Sequence, residues 1–551
     1  MPLLNHFLER LGVEEVLDRF VPTHDRRTRL SHARCLGVLL RSILVEREPI
    51  YRQAETVRAF GPEAFGLRDG DVDLLGDDRI GRALDELFDA DRGALLTQVV
   101  LALHERFGVA FERLHNDSTT VRFCGQYAGA RGRSLRGKKA PWITYGYSKD
   151  HRPDLKQLVY ILTTSDDGHV PVAFRCEAGN TNDSPTHVPT WDALCQLTGG
   201  PDFLYVADAK LCSREAMDHI DRRGGRFITV LPRSRGEDAH FRRWIQAHEP
   251  AWETVRDRAN PRGRDKPRDV WSVWKSDLPS QEGWPLIWVH STLLALHQER
   301  SRRERIERAR QELDALRTAI QSPRSRLRSR RRIHERLKEI LVRLDVTRYL
   351  RVKVSREDVH RFRQTSPGRP GPETTYRRVT RHRFALSFHV EEKVIEQERR
   401  HDGMYPLLTN DRSLTPAQVL LQHKRQPRIE RRFSQLKDPM QIAPVFLKNE
   451  GRVEALFFLY ALGLIVQALV EREIRRAMER EGIKALPLYP EERDDPHPTA
   501  LQILRLFAHL ERHEILAGGQ TLRALPPALT SLQQEVLRLL AVPAAAYRKT
   551  R

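Results

Sequence analysis

Residues 203–233, FLYVADAKLCSREAMDHIDRRGGRFITVLPR, contain two apolar runs separated by a segment of helix length. The runs FLYVAD and RFITVLPR have the composition of buried strands. Ser213 is placed to cap the intervening helix, and Gly224 and Gly225 provide its stop. A strand, a helix and a strand in this order predict a βαβ unit, with two parallel strands and a right-handed crossover.

The segment before this unit is also rich in strand-forming residues. From about residue 106 the pattern predicts strands in GVAFERLHNDSTTVRF, ITYGYSKD and QLVYILTTSDDGHVPVAFRC. The Asp-Asp-Gly in the last run indicates a hairpin turn between two strands. Strands with hairpin links, followed by alternating helix and strand, predict an α/β fold built on a mixed sheet.

The periodicity divides the chain into five parts. Residues 1–105 are predicted to form a helical domain, which is either a module that binds DNA ends or a helical cap on the next domain. Residues 106–240 and 403–480 are predicted to be the two parts of the α/β core. Residues 241–402 form a large insertion between them, and residues 481–551 a C-terminal helical region.

The insertion contains a predicted helical hairpin at about residues 297–345. Apolar residues keep heptad spacing on both sides of a break at Ser322-Pro323, which predicts two antiparallel helices. Between Ser301 and Lys338 the chain has 14 Lys or Arg against 5 Asp or Glu. This surplus favours contact with phosphate groups, and a solvated charged face is the alternative. The apolar residues are Ile306, Ala309, Leu313, Leu316, Ile320, Ile333, Leu337, Ile340 and Leu344.

Charge and composition restrict the class of protein. The chain has 551 residues, a net charge of +20 and a sequence pI near 10, which favours nucleic acid as a partner and an anionic membrane second. The most apolar window, Leu456–Val470, is shorter than the ~20 residues that span a bilayer, so we interpret it as a buried core helix. Five scattered cysteines without a CxxC pair argue against a zinc finger and suit a reducing cytosol.

Three carboxylates are candidates for a metal centre that cleaves phosphodiesters. Two divalent ions can activate the attacking oxygen and stabilise the leaving oxygen, and Mg²⁺ prefers carboxylate ligands. Asp117 lies inside a strand-like run, and Asp208 follows the strand FLYVA, where open α/β sheets bind ligands. Glu430 is the only acid among six cations in KRQPRIERRFSQLK, residues 424–437, and Lys437 shares its helical face.

Each of these carboxylates also has a structural interpretation. Asp117 suits an Asx turn, Asp208 a helix N-cap, and Glu430 a salt-bridged surface position. Spacing alone does not decide between the two interpretations. Four further acids in turn-like sequences are interpreted as structural, namely Asp150, Asp154, Asp183 and Asp402.

The chain resembles a known family at five blocks. HNDSTTV, TYGYSKDHRPDLKQLVY, EAGNTNDSPTH, VADAKL and IERRFSQLK are similar to segments of the DDE transposases of bacterial insertion sequences. The nearest group carries its third acid in the signature Y-x2-R-x3-E-x6-K, and the resemblance covers about residues 1–480. Where the signature has tyrosine and arginine, this chain has His423 and Gln426, and Pro427 follows.

The resemblance implies a ribonuclease-H-like catalytic core. Carried over by position, Asp117 on the first strand, Asp208 on the fourth and Glu430 on a helix after the insertion are the catalytic residues and the ligands of two Mg²⁺ or Mn²⁺ ions. The helix that bears Glu430 is expected to begin at about Pro427. The expected DNA-binding residues are Lys437, Arg428, Arg425 and Arg431.

The resemblance also implies a function. Family members bind the inverted repeats at the ends of the element, usually as dimers, cleave there and join the freed 3′ hydroxyl to target DNA. We therefore expect a transposase that binds double-stranded DNA as a homodimer in the bacterial cytoplasm, associated with the nucleoid and not with a membrane. A decayed or repurposed transposase that binds DNA without catalysis is one alternative, based on His423, Gln426 and Pro427. A metal-dependent nuclease without strand transfer is another.

Overall fold

The structure is a computed structural model. It describes residues 1–24, 27–260, 266–322, 325, 327, 329–426, 428–489, 491–517 and 520–547. The chain forms two compact units, of which the first contains Met1–Val230, Thr409–Asp411 and Leu421–Arg551 and the second contains Leu231–Leu408 and Arg412–Leu420. The predicted break at Pro323 and the predicted helix start at Pro427 lie outside the described residues.

A mixed sheet forms the centre of the first unit. Its strands follow the spatial order β5-β4-β1-β6-β7, in which β1, β4 and β5 are antiparallel and β6 and β7 run parallel to β1. This arrangement confirms the predicted α/β fold class with a mixed, ribonuclease-H-like sheet. The strands of this unit are β1 (Arg113–Phe123), β2 (Ser134–Leu135), β3 (Lys138–Lys139), β4 (Lys156–Ser165), β5 (Pro171–Ala178), β6 (Leu204–Val206), β7 (Arg226–Val230), β14 (His513–Ala517) and β15 (Gln520–Leu525).

Helices surround this sheet, and they are numbered in chain order. The α-helices of the first unit are α1 (Pro2–Leu11), α2 (Val13–Phe20), α3 (His32–Val45), α4 (Gln53–Phe60), α5 (Asp77–Asp89), α6 (Arg92–Phe107), α7 (His187–Thr198), α8 (Arg214–Arg222), α14 (Arg428–Lys437), α15 (Glu450–Glu481), α16 (Ala500–Leu506) and α17 (Ser531–Leu539). Short 3₁₀ turns cover Ile50–Arg52, Pro62–Phe65, Asp69–Leu74, Ser184–Thr186 and Ala544–Tyr547. The C-terminal region therefore contains the hairpin β14–β15 in addition to its predicted helices.

The predicted βαβ unit is present as β6, α8 and β7. Ser213 caps α8 as expected, because its Oγ accepts a hydrogen bond from the Ala216 amide at 3.3 Å. Gly224 follows the helix in the left-handed region, with φ of 76°, where a side chain would be strained. The βαβ prediction is confirmed, and it brings the ends of β6 and β7 to one edge of the sheet.

The predicted strand ITYGYSKD is wrong. Between residues 143 and 150 the only pairing is an isolated bridge between Thr144 and Gln157. The chain turns immediately afterwards, where the His151 amide donates to the Ser148 carbonyl at 3.2 Å. The turn stops a ladder from forming and leaves the intervening Lys149 and Asp150 beside β1.

The apolar run Leu456–Val470 lies within α15, the core helix of the first unit. Among the described residues α15 is the one helix long and apolar enough to cross a membrane, but 94% of its most apolar 18-residue window is buried inside the protein. It packs against α3, α5 and β5. The interpretation as a buried core helix is confirmed.

The second unit has an antiparallel sheet and a helical hairpin. The sheet order is β13-β10-β9-β8. All nine predicted stripe residues of the two long helices, α10 and α11, lie in one buried cluster, which confirms the predicted helical hairpin. The elements are α9 (Gly236–Trp244), β8 (Glu253–Arg258), β9 (Asp269–Lys275), β10 (Leu286–Ser291), α10 (Thr292–Gln321), α11 (Arg330–Arg343), β11 (Leu350–Gln364), β12 (Tyr376–Val390), α12 (Glu392–Arg399), β13 (Met404–Thr409) and α13 (Pro416–His423), which leads back to the first unit.

Candidate active site

Asp117 and Asp208 come from neighbouring parallel strands. His115 on β1 pairs in register with Val206, the last residue of β6. Asp117 lies two residues further along β1, and Asp208 lies two residues beyond the end of β6. The two aspartates are therefore nearly level on neighbouring segments about 4.8 Å apart, and the charge of Asp208 acts on Asp117. Asp117 Oδ1 accepts a hydrogen bond from the Ser118 amide at 2.7 Å, and Asp208 Oδ1 accepts one from the Lys210 amide at 2.9 Å. The fold thus brings two of the three predicted carboxylates to one place.

The environment of Asp117 favours its protonated form. Burial raises the pKa of Asp117 to about 6, the positive charge of Lys149 opposes this change, and the charges of Asp208 and Asp183 add to it. The side chain is 23% exposed. A cation would be stabilised beside a carboxylate that has two negative neighbours and little solvent exposure.

Lys149 supplies a positive charge at this position. Its Nζ lies 3.8 Å from Asp117 Oδ1 and 3.3 Å from Asp183 Oδ2. The same ammonium donates to the carbonyl and to the hydroxyl of Ser118, at 2.7 and 2.6 Å. Lys149 therefore bridges the strand that carries Asp117 and the loop that carries Asp183.

His187 is close enough to the same acids for the charges of Asp208 and Asp183 to act on its ring. Its Nδ1 is 3.0 Å from the hydroxyl of Tyr205 on β6, and its side chain is buried. Burial lowers the pKa of His187 to about 4, against the opposing charges of Asp208 and Asp183, so the ring is neutral at pH 7. Asp183 thus acts on both Asp117 and His187, although the sequence places it only in a turn-like segment.

Glu430 stands on a helix that covers the Asp117 face of β1. His115 and Asp117 share a face of β1 because strand residues alternate. On that face the His115 ring lies 6.3 Å from the ring of His169, and the His169 carbonyl accepts from Arg432 on α14 at 2.9 Å. Helix α14 packs on β1 and begins at Arg428. Glu430 lies in its first turn, and its side chain is exposed.

Lys437 shows which edge of α14 faces the aspartates. Glu430 and Lys437 are seven residues apart and project from the same side of the helix. Lys437 Nζ lies 2.8 Å from Asp150 Oδ1, and Asp150 directly follows Lys149, the partner of Asp117. The edge that carries Glu430 therefore faces the loop beside Asp117. No group of three or more His, Cys, Asp and Glu side chains in the described part of the chain is arranged to hold a metal ion, so Glu430 does not complete a cluster with the two aspartates.

The four predicted DNA-binding residues have different environments. Arg425 forms an ion pair with Asp166 at the turn between β4 and β5. Arg428 donates to Nε2 of His169 at 3.2 Å, and Arg431 is exposed. Three of the four cations, Lys437 included, thus already contact a protein group.

The residues that sequence reasoning missed are Lys149 and Asp183. Both lie in loops that the sequence assigns to turns or extended chain, and their neighbours in sequence do not identify them. The relevant signal is that SKD and NTNDS stand inside two of the five blocks of family resemblance.

Comparison with protein-family models gives the deciding observation. The model described as transposase DDE domain matches residues 112–466, which is more than half of the chain. The chain belongs to the DDE transposase family. In this DDE transposase the matched segment includes Asp117, Asp208 and Glu430. A second model, described as a domain of unknown function (DUF4277), matches residues 1–101. The comparison with curated proteins found no match.

Two positions upstream of Glu430 distinguish this DDE transposase from the signature that its sequence resembles. His423, at the signature's tyrosine position, ends α13, and burial lowers its pKa to about 3, helped by the charge of Lys424. Gln426, at the arginine position, is buried. Neither residue adds a positive charge beside Glu430 at pH 7.

Proposed function

We propose that this DDE transposase cleaves DNA at the ends of an insertion sequence and transfers the 3′ ends to target DNA. Asp117, Asp208 and Glu430 are the proposed catalytic residues. The observation that carries the proposal is the pair of aspartates on adjacent parallel strands, with Asp117 inside β1, Asp208 just past the carboxyl end of β6, and a raised pKa at Asp117. Open α/β sheets bind their ligands at such strand ends.

The donor set fits a hard divalent cation. Carboxylate oxygens are the ligands that Mg²⁺ and Mn²⁺ prefer, and the ammonium of Lys149 between Asp117 and Asp183 marks a position that favours positive charge. Asp117 and Asp208 would hold the two ions, and Glu430 is the proposed third carboxylate ligand, although it stands apart from the aspartates in this structure. When bound, the ions would supply Lewis-acid activation of the attacking oxygen and stabilisation of the leaving oxygen.

The side chains of the chain itself prepare the site and orient the DNA. Lys149 lowers the pKa of the Asp117 carboxyl against the effect of burial, and thereby favours the ionised form that binds cations. Arg428, Arg431 and Lys437 on α14 lie along the helix that carries Glu430 and would contact phosphate groups. Arg425 and Lys437 would exchange their carboxylate partners for phosphate when DNA binds.

The other parts of the chain support the same substrate. We propose that residues 1–105 bind the DNA ends and that the basic helical hairpin in the 241–402 insertion contacts phosphate groups. The two core segments, 106–240 and 403–480, form the catalytic centre, and 481–551 completes the chain as a helical region. The proposed assembly is a homodimer on double-stranded DNA in the bacterial cytoplasm.

A cleavage assay tests the three acids. A supercoiled plasmid carrying the inverted repeats that flank the gene is incubated with wild type, D117N, D208N or E430Q in Mg²⁺. We expect each variant to lose cleavage and joining and to retain binding to the end sequence. The matched control is D154N. Asp154 is exposed, and its ion pair within the described residues is with its neighbour Arg152. Cleavage by D117N at the wild-type rate would remove Asp117 from the mechanism, and the same holds for the other two acids.

A second candidate function is DNA binding without catalysis. It is favoured by the uncharged His423 and the buried Gln426 at the signature positions. The same assay separates the candidates, because a decayed transposase would bind the ends and give no product with wild-type protein. A nuclease without strand transfer would give nicked or linear DNA and no joined product.

A further inference from the structure

The hairpin formed by β11 and β12 is a long two-stranded ribbon. Its strands pair without interruption from Leu350 opposite Val390 to Gln364 opposite Tyr376. Fifteen residues in each strand correspond to about 50 Å at ~3.4 Å per residue. The sequence predicts strand at VTRHRFALSFHV but gives no indication of this pairing or of its length.

The two faces of the ribbon differ. Residues directly opposite each other in an antiparallel pair share a face, so the odd-numbered residues of both strands form one face and the even-numbered residues the other. At the base of the ribbon the even face is apolar and packs on the buried cluster of α10 and α11. The apolar residues at the base of the even face are Leu350, Val352, Val354, Phe384, Leu386, Phe388 and Val390.

The odd face is basic along the ribbon. Its described cationic side chains are all exposed, and Glu357 is the only acid among the odd-numbered residues of the two strands. On a surface helix or strand, opposite charges usually alternate, so a single-sign face of this length indicates a polyanionic partner. The exposed cations of the odd face are Arg351, Lys353, Arg361, Arg363, Arg377 and Arg383.

Ion pairing differs between the faces, although the even face also carries one exposed arginine, Arg378, without an ion pair to a described residue. On the even face Arg356 pairs with Asp358 at 2.9 Å, and Asp358 also binds His382 at 2.6 Å. On the odd face the distal Arg361, Arg363 and Arg377 form no ion pair with any described residue. These three charges are therefore not neutralised within the described protein.

Duplex DNA fits this surface in size and charge. The major groove of B-DNA is about 12 Å wide and admits a two-stranded β-ribbon, whereas the A-form RNA major groove is too narrow for side chains. Residues that alternate on one face are about 7 Å apart, which is close to twice the ~3.4 Å rise along the DNA axis per phosphate of one strand. A membrane surface would favour apolar side chains beside the cations, and the basic face has only Val359, Val379 and Ala385.

We propose that the odd face of the β11–β12 ribbon binds duplex DNA through phosphate contacts of Arg361, Arg363 and Arg377. The proposal rests on the proposed function only in that DNA is the substrate. It assigns a DNA contact to a segment that contains none of the three acids and whose pairing the sequence did not indicate. The apolar base of the ribbon, held on α10 and α11, gives the distal part a fixed support.

The test compares two double variants with equal loss of charge. R361Q/R363Q removes two cations from the odd face, and R356Q/R378Q removes two from the even face of the same ribbon. Binding to a 40-base-pair duplex of mixed sequence is measured from 50 to 300 mM salt. We expect the odd-face variant to reduce the slope of log K against log salt by about 2 and to weaken binding about tenfold or more at 0.1 M. The even-face variant should keep the wild-type slope.

A shortened chain gives an independent measurement. Replacing residues 358–382 by Asn-Gly joins Glu357 and Arg383, which are paired, by a two-residue turn and keeps the apolar base intact. We expect this chain to fold and to show a smaller salt slope than R361Q/R363Q.

The outcomes separate this proposal from the proposed function. Equal slopes for the odd-face and even-face variants, or an unchanged slope in the shortened chain, would overturn the ribbon as a DNA surface while wild-type cleavage and joining stand. The odd-face variant could reduce the slope of log K against log salt while the wild-type protein never cleaves DNA. This result would support the ribbon as a DNA surface and refute the transposase activity. Failure of the wild type to bind any duplex would overturn both.

Discussion

We predict that the buried ion pair between Arg432 and Glu471 holds α14, and with it Glu430, in place. Arg432 is 3% exposed and Glu471 5%, and their charged atoms are 2.9 Å apart. The same guanidinium donates to the carbonyls of Gly168 and His169, at 2.8 and 2.9 Å. One side chain thus ties α14 both to α15 and to the turn between β4 and β5.

We expect R432M to lower the free energy of unfolding by about 3 kcal/mol. Removing one partner of a buried pair costs about 3–5 kcal/mol because the other charge is left uncompensated. The lower end applies here, because Glu471 keeps an ion pair with Arg475 at 3.5 Å and hydrogen bonds from Gln435 at 2.6 Å and the Ala500 amide at 3.1 Å. Methionine retains most of the apolar stem of arginine, so the loss reports mainly on charge and hydrogen bonds.

Urea denaturation of the full chain, followed by far-UV circular dichroism, measures this loss. The matched control is R431M, which removes an exposed arginine from the neighbouring position of the same helix and should change stability by less than about 0.5 kcal/mol. Adding E471Q to R432M removes the buried carboxylate that has lost its nearest cation and should recover about 1–2 kcal/mol. An R432M variant as stable as R431M, or no recovery in the double variant, would refute the role assigned to this pair.

Two further predictions concern the aspartates. In EDTA, D117N should be more stable than wild type by about 3 kcal/mol at pH 7.5, because the folded state raises the pKa of this carboxyl from 3.8 to about 6 and ionisation is costly above both values. The gain in stability should fall to about half at pH 5 and disappear below 3.8, the pKa of this carboxyl in the unfolded chain. Thermal melts at three pH values measure it, and a gain that stays constant with pH would contradict the prediction. K149M should raise the pKa of Asp117 further, since it removes the opposing charge, and should move the acid-side midpoint of Mg²⁺-dependent cleavage to higher pH. A pH–rate profile identical to wild type would exclude this effect.

The core of the fold could be predicted because its signals are local. Ser213, the glycine pair after α8 and the alternation of apolar residues act within a few residues of one another, so the βαβ unit follows from the sequence. The stripes of α10 and α11 are equally local. Once β6 is known to lie beside β1, the level positions of Asp117 and Asp208 follow from strand register alone.

The missed features depend on contacts between distant residues. Lys149 reaches Asp183 across a loop, and no periodicity in either segment encodes that contact. ITYGYSKD has the composition of a strand, but the turn at Ser148 overrides this propensity. The basic face of the β11–β12 ribbon becomes visible only when the register shows which residues lie opposite each other.

The cations around Glu430 have two roles, which the sequence could not separate. Arg432 is structural, because it is buried and satisfied by Glu471 and two carbonyls. Arg425 and Lys437 each hold a carboxylate, Asp166 and Asp150, that DNA phosphate would have to displace. The charge excess in this segment therefore overstates the number of free phosphate contacts near Glu430. The exposed arginines of the ribbon, which form no ion pair within the described part of the chain, supply such contacts elsewhere in the proposed mode of binding. The ribbon variants should therefore change the salt dependence of binding, and the R432M variant should change stability.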